Sequence, residues 1–326
     1  MDYQFILTAP GGESRDLAQL IQSITWSGSD LQTARQLSAS LAVPRDGSVE
    51  PPALEEGAQI TFRLSGQGDL LTGPLLSVTT TSQSSVVDLS ALDYGRFLVG
   101  NDGWYQFSGA APETAVATIC QDFGIRAGNL AKTGVMVSRK FPGVSLDKMI
   151  RSLYALASQQ NGKRYLIRFT GGGALEVVEK PSSATLEIKS TMSVTNTWDI
   201  SKLQNSVAIY TDKGAFVRRV EDAASVAVNG RLEHVLTQKS GEDAGAEAEQ
   251  WLEDNGLQQN LTVETLGDPR LISGNAVRLR DTGSGVTGLF WIESDTHTWK
   301  NGQYLTKVKL NFRNLANESI AGSEVK

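Results

Sequence analysis

Apolar and polar residues alternate with a period of two along much of the chain, and Gly, Pro, Ser and Asn break the alternation at short intervals, which predicts β-strands joined by tight turns. The pattern is clearest over residues 266–312. There Asn301-Gly302 separates two alternating stretches, and Asn-Gly readily takes the positive φ angles of a type I′ turn. A two-residue loop fixes the register. Trp299 is expected to face Tyr304, His297 to face Thr306, Asp295 to face Val308, Glu293 to face Leu310 and Trp291 to face Phe312. The other face of this hairpin pairs Thr298 with Leu305, Thr296 with Lys307 and Ser294 with Lys309, and reads as a solvated or partner-facing surface.

The same signal fills residues 1–95, in "YQFILTA", "SITWSG", "RQLSASLAV", "QITFRL" and "LLTGPLLSVTTTSQSSVVDLSAL". This predicts a first β module, a small barrel or sandwich. Pro44, Pro51 and Pro52 mark a surface loop within it, because proline cannot donate to a sheet ladder. Residues 96–195 change period. Val116, Ile119, Cys120 and Phe123 share a helical face over 113–123, with Pro112 at the first turn and Gly124 at the end. A second helix starts at Ser145, buries Leu146, Met149, Ile150, Leu153 and Ala157, and stops at Asn161-Gly162. The hairpin around Gly171-Gly172-Gly173 completes a small α/β module. Over 196–326 strands return, interrupted by one amphipathic helix at 242–255 with Ala244, Ala248, Trp251 and Leu252 on a common side. The expected fold is mainly β (α+β), with two antiparallel β-barrel or sandwich modules bracketing the α/β module.

Composition narrows the chemistry. The 326 residues allow about two domains with real cores. A formal charge of −6 argues against a basic nucleic-acid-binding surface. Cys120 is the single cysteine, so intramolecular disulfides and cysteine metal clusters are excluded, and its place on a helical stripe predicts burial. The opening "MDYQFILTAPGG" lacks the basic region of a signal peptide, and no stretch approaches the roughly 20 apolar residues of a membrane helix, so folding in the cytoplasm is expected.

Candidate catalytic features are sparse. The glycines at 171–173 precede a strand rather than the Lys and Ser/Thr of a phosphate loop, and "GSGVTG" at 283–288 reads as another inter-strand loop. Only His234 and His297 are present, which leaves no multi-histidine site. Glu293, Asp295 and His297 share one predicted strand face. Carboxylates two residues apart on a strand lie about 7 Å apart but project the same way, so they line a wall instead of flanking a bond as glycosidase carboxylates do. A polar rim or an intermolecular contact is the expected role, and no catalytic, cofactor-binding or metal residue is assigned. Trp26, Trp198, Trp251, Trp291 and Trp299 lie inside periodic elements and are expected to be structural; Trp104 is the one expected in solvent.

Several blocks, taken in order, resemble the hub proteins of contractile phage tails, the defective-prophage-type hub family of Gram-positive bacteria related to the late-control D proteins. They are "SITWSGSDLQTARQLSASLAV", "ALDYGRFLVGNDGWYQFSGAAPETAVATICQDFGI", "GVSLDKMIRSLYALASQQNGKRYLIRF", "WDISKLQNSVAIYTDKG" and the closing region from Gly267 to Phe312. The resemblance implies a noncatalytic homotrimeric adaptor at the baseplate, with two tube-like β domains per subunit, joining the tail tube protein to the central spike protein. Other baseplate proteins and the tape-measure protein are further implied contacts, and DNA is passing cargo only. Residues 198–210 and the terminal hairpin are the expected subunit edges. Location is expected in the host cytoplasm during assembly and then in the virion or a tail-like particle such as a bacteriocin. A peptidoglycan-processing enzyme using Glu293 or Asp295, or a cell-wall carbohydrate-binding tail protein, is the rival expectation.

Overall fold

A computed structural model describes residues 2–52, 55–238, 243–314 and 320–325. The architecture is predominantly β with a minority of helix, as the periodicity predicts. Contacts group the chain into two compact units, Met1–Val194 with Thr262–Lys326, and Thr195–Leu261. The first unit thus gathers the terminal hairpin with residues far upstream, a grouping that a division at 95 and 195 does not draw. The physical reason is strand pairing across the whole chain. Thr287–Lys300 pairs antiparallel with Gln303–Asn311 on one side and with Ile21–Ser29 on the other. Both flanks of Thr287–Lys300 are therefore occupied within one chain, and Ser206–Thr211 is likewise central in its own sheet. These two strands are not free edges within the chain, whereas Ser193–Asp199, which carries Trp198, stands at the end of its sheet.

Within the first ninety residues, Ile21–Ser29, Gln36–Ala42, Val86–Leu92 and Gly68–Thr80 follow one another in the sheet, and Gln59–Leu64, Tyr3–Thr8 and Ser14–Asp16 continue it. The strand Gly68–Thr80 serves two stretches of sheet, pairing with Gln59–Leu64 through its first half and with Val86–Leu92 through its second, with an irregularity between Leu75 and Ser77. Such irregularities bend a strand and let a sheet curl. The curl wraps a core of Phe5, Ile24, Leu37, Leu41, Ile60 and Phe62, closed by Trp299 from the distant hairpin. Each of these side chains contributes roughly 1.5–3 kcal/mol by leaving water.

The α/β module has its own core. Helix Pro112–Asp122 and helix Leu146–Asn161 pack Val116, Ile119, Met149 and Leu153 against Phe141 and Val177, all buried. The predicted signals act as expected: Pro112 stands in the first turn, and Gly162 caps the longer helix at φ 71°. Two details differ. The Ser145 hydroxyl donates to the Asp147 carboxylate at 2.7 Å instead of capping a backbone N–H. Phe123 falls just past its helix and is exposed, because the chain leaves the helical path there.

The unit Thr195–Leu261 centres on Ser206–Thr211, antiparallel to Phe216–Glu221 and parallel to Glu233–Gln238. Helix Gly245–Asp254 lays Ala248 on Val207 and Ile209. Glu242, where the sequence starts this helix, lies outside the described residues. A short helix, Ala223–Asn229, was not legible in the sequence; it buries no residue, and its one clear signal is Asp222, whose side chain accepts the Ser225 N–H.

Candidate functional site

The terminal hairpin turns at Asn301-Gly302 with φ of 53° and 73°, as a type I′ turn requires. From Trp299↔Tyr304 to Ser294↔Lys309 the register is the expected one. Beyond it the register slips: Ile292 pairs with Leu310 and Trp291 with Asn311. The expected pairs Glu293 with Leu310 and Trp291 with Phe312 are therefore corrected by a β-bulge at Glu293. A bulge opposes two residues to one and shifts side-chain direction by one position. Phe290 and Ile292 are buried before it; Asp295, His297 and Trp299 are buried after it. Glu293, half-buried, is left to pair with Lys309 at 2.6 Å. The three residues proposed to share one face are thus split, one toward solvent and two into the interior.

Asp295 and His297 belong to a buried ionic cluster. Arg35 donates both terminal nitrogens to Asp295, at 3.1 Å to Oδ1 and in a shorter contact to Oδ2. The Ser273 backbone N–H donates to the same Oδ1 at 2.6 Å. Arg35 reaches this position because Gly28 lies opposite Asp295 in the adjoining strand; a Cβ at residue 28 would stand 2.3 Å from the guanidinium. The guanidinium also lies 4.0 Å from the centre of the Trp26 ring, a favourable cation–π geometry. His297 is fully buried, with Nδ1 at 2.8 Å from the Tyr304 hydroxyl and 3.1 Å from the Thr306 hydroxyl, and Nε2 at 3.3 Å from Asp295.

Burial pushes the Asp295 carboxyl up, but Arg35 and the His297 ring outweigh it and hold it at about 2. Burial pushes the His297 ring below the ordinary histidine value despite the attraction of Asp295, so the ring is neutral at pH 7. A carboxylate locked by a bidentate guanidinium and a neutral ring sealed under two tryptophans have no exposed face for a substrate. The arrangement is suited to pinning strands together.

A second buried pin joins the first ninety residues to the α/β module. Lys180 Nζ lies 3.1 Å from Asp30, with the two side chains 1% and 10% exposed. Burial raises the Asp30 carboxyl in spite of Lys180. Nearby, Arg151 donates to the Thr33 hydroxyl at 2.9 Å.

The outward sheet face has a different character. Ser23, Thr25 and Ser27 on one strand align with Ser40, Ser38 and Gln36 on the next, and with Thr298 and Thr296 on the other side. Ser90 and Ser77 extend the row across two further strands. Two of the lysines bordering it are matched by carboxylates, Lys307 with Glu264 at 3.0 Å and Lys309 with Glu293, while Lys300 stands exposed opposite Ser23. Single-face alternation made half of this surface legible in advance; its breadth depends on pairings far apart in sequence.

The remaining candidates are placed as follows. Cys120 is buried, and burial pushes its thiol up to about 11. His234 stacks on Trp251 at 3.6 Å. Trp26 and Trp299 are core residues, while Trp251 and Trp291 each donate an indole N–H, to Gln204 and to the Pro181 carbonyl, both at 2.7 Å. Trp198 is 58% exposed, contrary to its expected structural role, and Trp104 is 61% exposed as expected. Among the described residues no helix is long and apolar enough to cross a membrane.

A family model described as YQBQ-like matches residues 24–311, nearly the whole chain. The chain belongs to the YQBQ-like family. Within reach of this YQBQ-like chain are the protein YqbQ of Bacillus subtilis (strain 168), 20% identical and aligned over 95% of this chain and 97% of its own length, and the phage-like element PBSX protein XkdQ of the same organism, 21% identical over 94% and 96%. Among solved structures, the 43 kDa tail protein of prophage MuSo2 from Shewanella oneidensis superposes with a TM-score of 0.67 at 15% identity, covering 94% of this chain and 97% of that one. The YQBQ-like fold is thus shared, along nearly its full length, with a prophage tail protein.

Proposed function

We propose that this chain is a noncatalytic hub of a contractile-tail baseplate, in a phage, a defective prophage or a tail-like bacteriocin, and that three copies form a ring joining the tail tube to the central spike. The observation that carries the reading is the end-to-end match in fold between this YQBQ-like chain and a prophage tail protein. In this reading residues 1–95 and 196–326, bounded by their sequence pattern, supply the two tube-like modules although Ile21–Ser29 and Thr287–Lys300 share one sheet, and a ring of three offers six similar surfaces to a hexameric tube. The buried Arg35–Asp295 and Lys180–Asp30 pairs support a part built to hold shape. Glu293 held by Lys309, and Asp295 and His297 sealed in the core, favour this over a peptidoglycan-processing role.

The hydroxyl-rich sheet face is the surface we assign to the channel. Serine and threonine offer weak, exchangeable hydrogen bonds, and three copies at −6 each give a ring of charge −18. Neither feature retains DNA, whose binding depends on phosphate neutralisation by cations. Assembly from the host cytoplasm into the particle follows from this role. Electron microscopy of the protein mixed with its tube and spike partners is expected to show three-fold rings between them. A chain that stays single in the presence of both, or that clears a suspension of purified cell walls with activity lost in Glu293→Gln, overturns the proposal.

A further inference from the structure

The strand Val137–Ser145 pairs on one side with Asp102–Ala110, and its other side is the edge of that two-stranded sheet. An edge strand offers a row of N–H and C=O groups to any extended segment. Here part of the row is taken by residues about 180 positions downstream. Lys140 and Ser323 form an antiparallel bridge, with Lys140 N–H donating to the Ser323 carbonyl and Ser323 N–H to the Lys140 carbonyl, both at 2.9 Å. Arg139 donates to the Ala321 carbonyl at 2.9 Å and to the Gly322 carbonyl at 3.0 Å. The Ala321 N–H donates to the Ser152 hydroxyl at 2.7 Å.

Five hydrogen bonds thus reach the backbone of three consecutive residues, and three of them are made by side chains, two by Arg139 and one by Ser152. The site also reads one residue type. Gly322 has φ of 76°, and a Cβ there would stand 2.2 Å from the Lys140 carbonyl oxygen and 2.9 Å from the Phe141 ring. Any other residue is excluded both by conformation and by space. Recognition of backbone at a sheet edge through a single antiparallel bridge, with one left-handed glycine step before it, is a minimal form of strand addition.

We infer that the outer edge of Val137–Ser145 is a strand-acceptor site for the Ala321-Gly322-Ser323 segment, filled in the free chain by its own segment and open to the same segment of a second copy. The occupant follows from the contacts: every copy carries both halves, and all five bonds and the glycine fit are reproduced when the segment arrives from a neighbour. Exchange of identical elements between protomers conserves the contacts on both sides and is a low-cost route to association. The six peptide links from Asn314 to Ile320 set its reach, at most about 20 Å for an extended chain. This inference rests on the pairing itself and stands whether or not the hub reading is correct.

Gly322→Val in the full chain ejects the resident segment and leaves the acceptor intact. A fluorescent peptide of residues 319–325 is expected to bind this variant at least tenfold more tightly than it binds the unaltered chain, by anisotropy titration, and to lose at least tenfold on adding Arg139→Ala. Equal affinity for the two chains, no binding to either, or indifference to Arg139→Ala overturns the acceptor site. The occupant is tested separately with Lys140→Cys/Ser323→Cys, whose Cα atoms, about 5.5 Å apart as a hydrogen-bonded antiparallel pair, suit a disulfide. Cys120, buried, does not compete. Under mild oxidation, disulfide-linked oligomers are expected to increase with protein concentration. A bond that stays within one chain at every concentration, or that fails to form, overturns exchange with a second copy.

Discussion

Two charged pairs of Met1–Val194 with Thr262–Lys326, Arg35 with Asp295 and Lys180 with Asp30, differ in surroundings from the pairs of Thr195–Leu261. In the larger unit, Asp295 and Lys180 are sealed from water and each is met by an opposite charge. In the smaller unit, Arg218 meets Asp243, Arg219 meets Glu233 and Arg231 meets Glu221, all with substantial solvent exposure. An exposed pair forms in a screening medium and is worth little, whereas removing one partner of a buried pair strands a charge where no water can reach it. The larger unit carries exposed pairs as well, Arg63 with Asp69, Lys163 with Glu179 and Arg270 with Asp268, so the same chemistry both fixes geometry and decorates the surface there, whereas the pairs named in the smaller unit only decorate its surface.

The contrast is sharpest at Arg35. Replacement by methionine leaves the Asp295 carboxylate buried without its guanidinium, and urea unfolding is expected to show a loss of about 3–5 kcal/mol. A loss below about 1 kcal/mol would remove the distinction between the two units. Lys180→Met is expected to cost less, about 2–3 kcal/mol on the same scale, because burial has already raised the Asp30 carboxyl and a proton can replace the lysine.

Acid should act on the larger unit through the same cluster. His297 resists protonation when folded, so the unfolded chain takes the proton first and stability declines as pH falls below about 6.5. Asp295 behaves as a depressed carboxylate: its contribution is complete above the unfolded value near 4 and is lost as pH falls toward about 2. Stability curves of the parent and His297→Gln are expected to differ in slope between pH 7 and 5, only the parent showing the histidine-linked decline; identical slopes would deny the buried neutral ring. The smallest effect belongs to the other unit. Arg219→Ala, at an exposed pair, is expected to leave the thermal midpoint unchanged within error.

How far the sequence reveals these features depends on separation along the chain. Alternation and Asn301-Gly302 fix the hairpin turn and six of its pairs, and Pro112 and Gly162 mark helix ends, because those signals are local. The bulge at Glu293 carries no glycine or proline to announce it, so the expected register runs one residue too far. The ionic cluster is hidden more deeply: Arg35 and Asp295 are 260 positions apart, and Gly28 reads as an ordinary strand residue until the guanidinium is seen above it. The same distance hides the sheet that ties the hairpin to Ile21–Ser29 and so redraws the compact units. Trp198 shows the complementary limit, since it stands in a strand yet is exposed, and strand periodicity alone does not imply burial.

The slip at Glu293 has a mechanical meaning. Thr287–Lys300 turns the buried Phe290 toward Phe312 on one side of the slip and Trp299 toward Phe62 on the other, so one unbroken run of backbone carries apolar contacts before and after the bulge. Separating those contacts loads covalent bonds along the strand instead of peeling a seam between two strands.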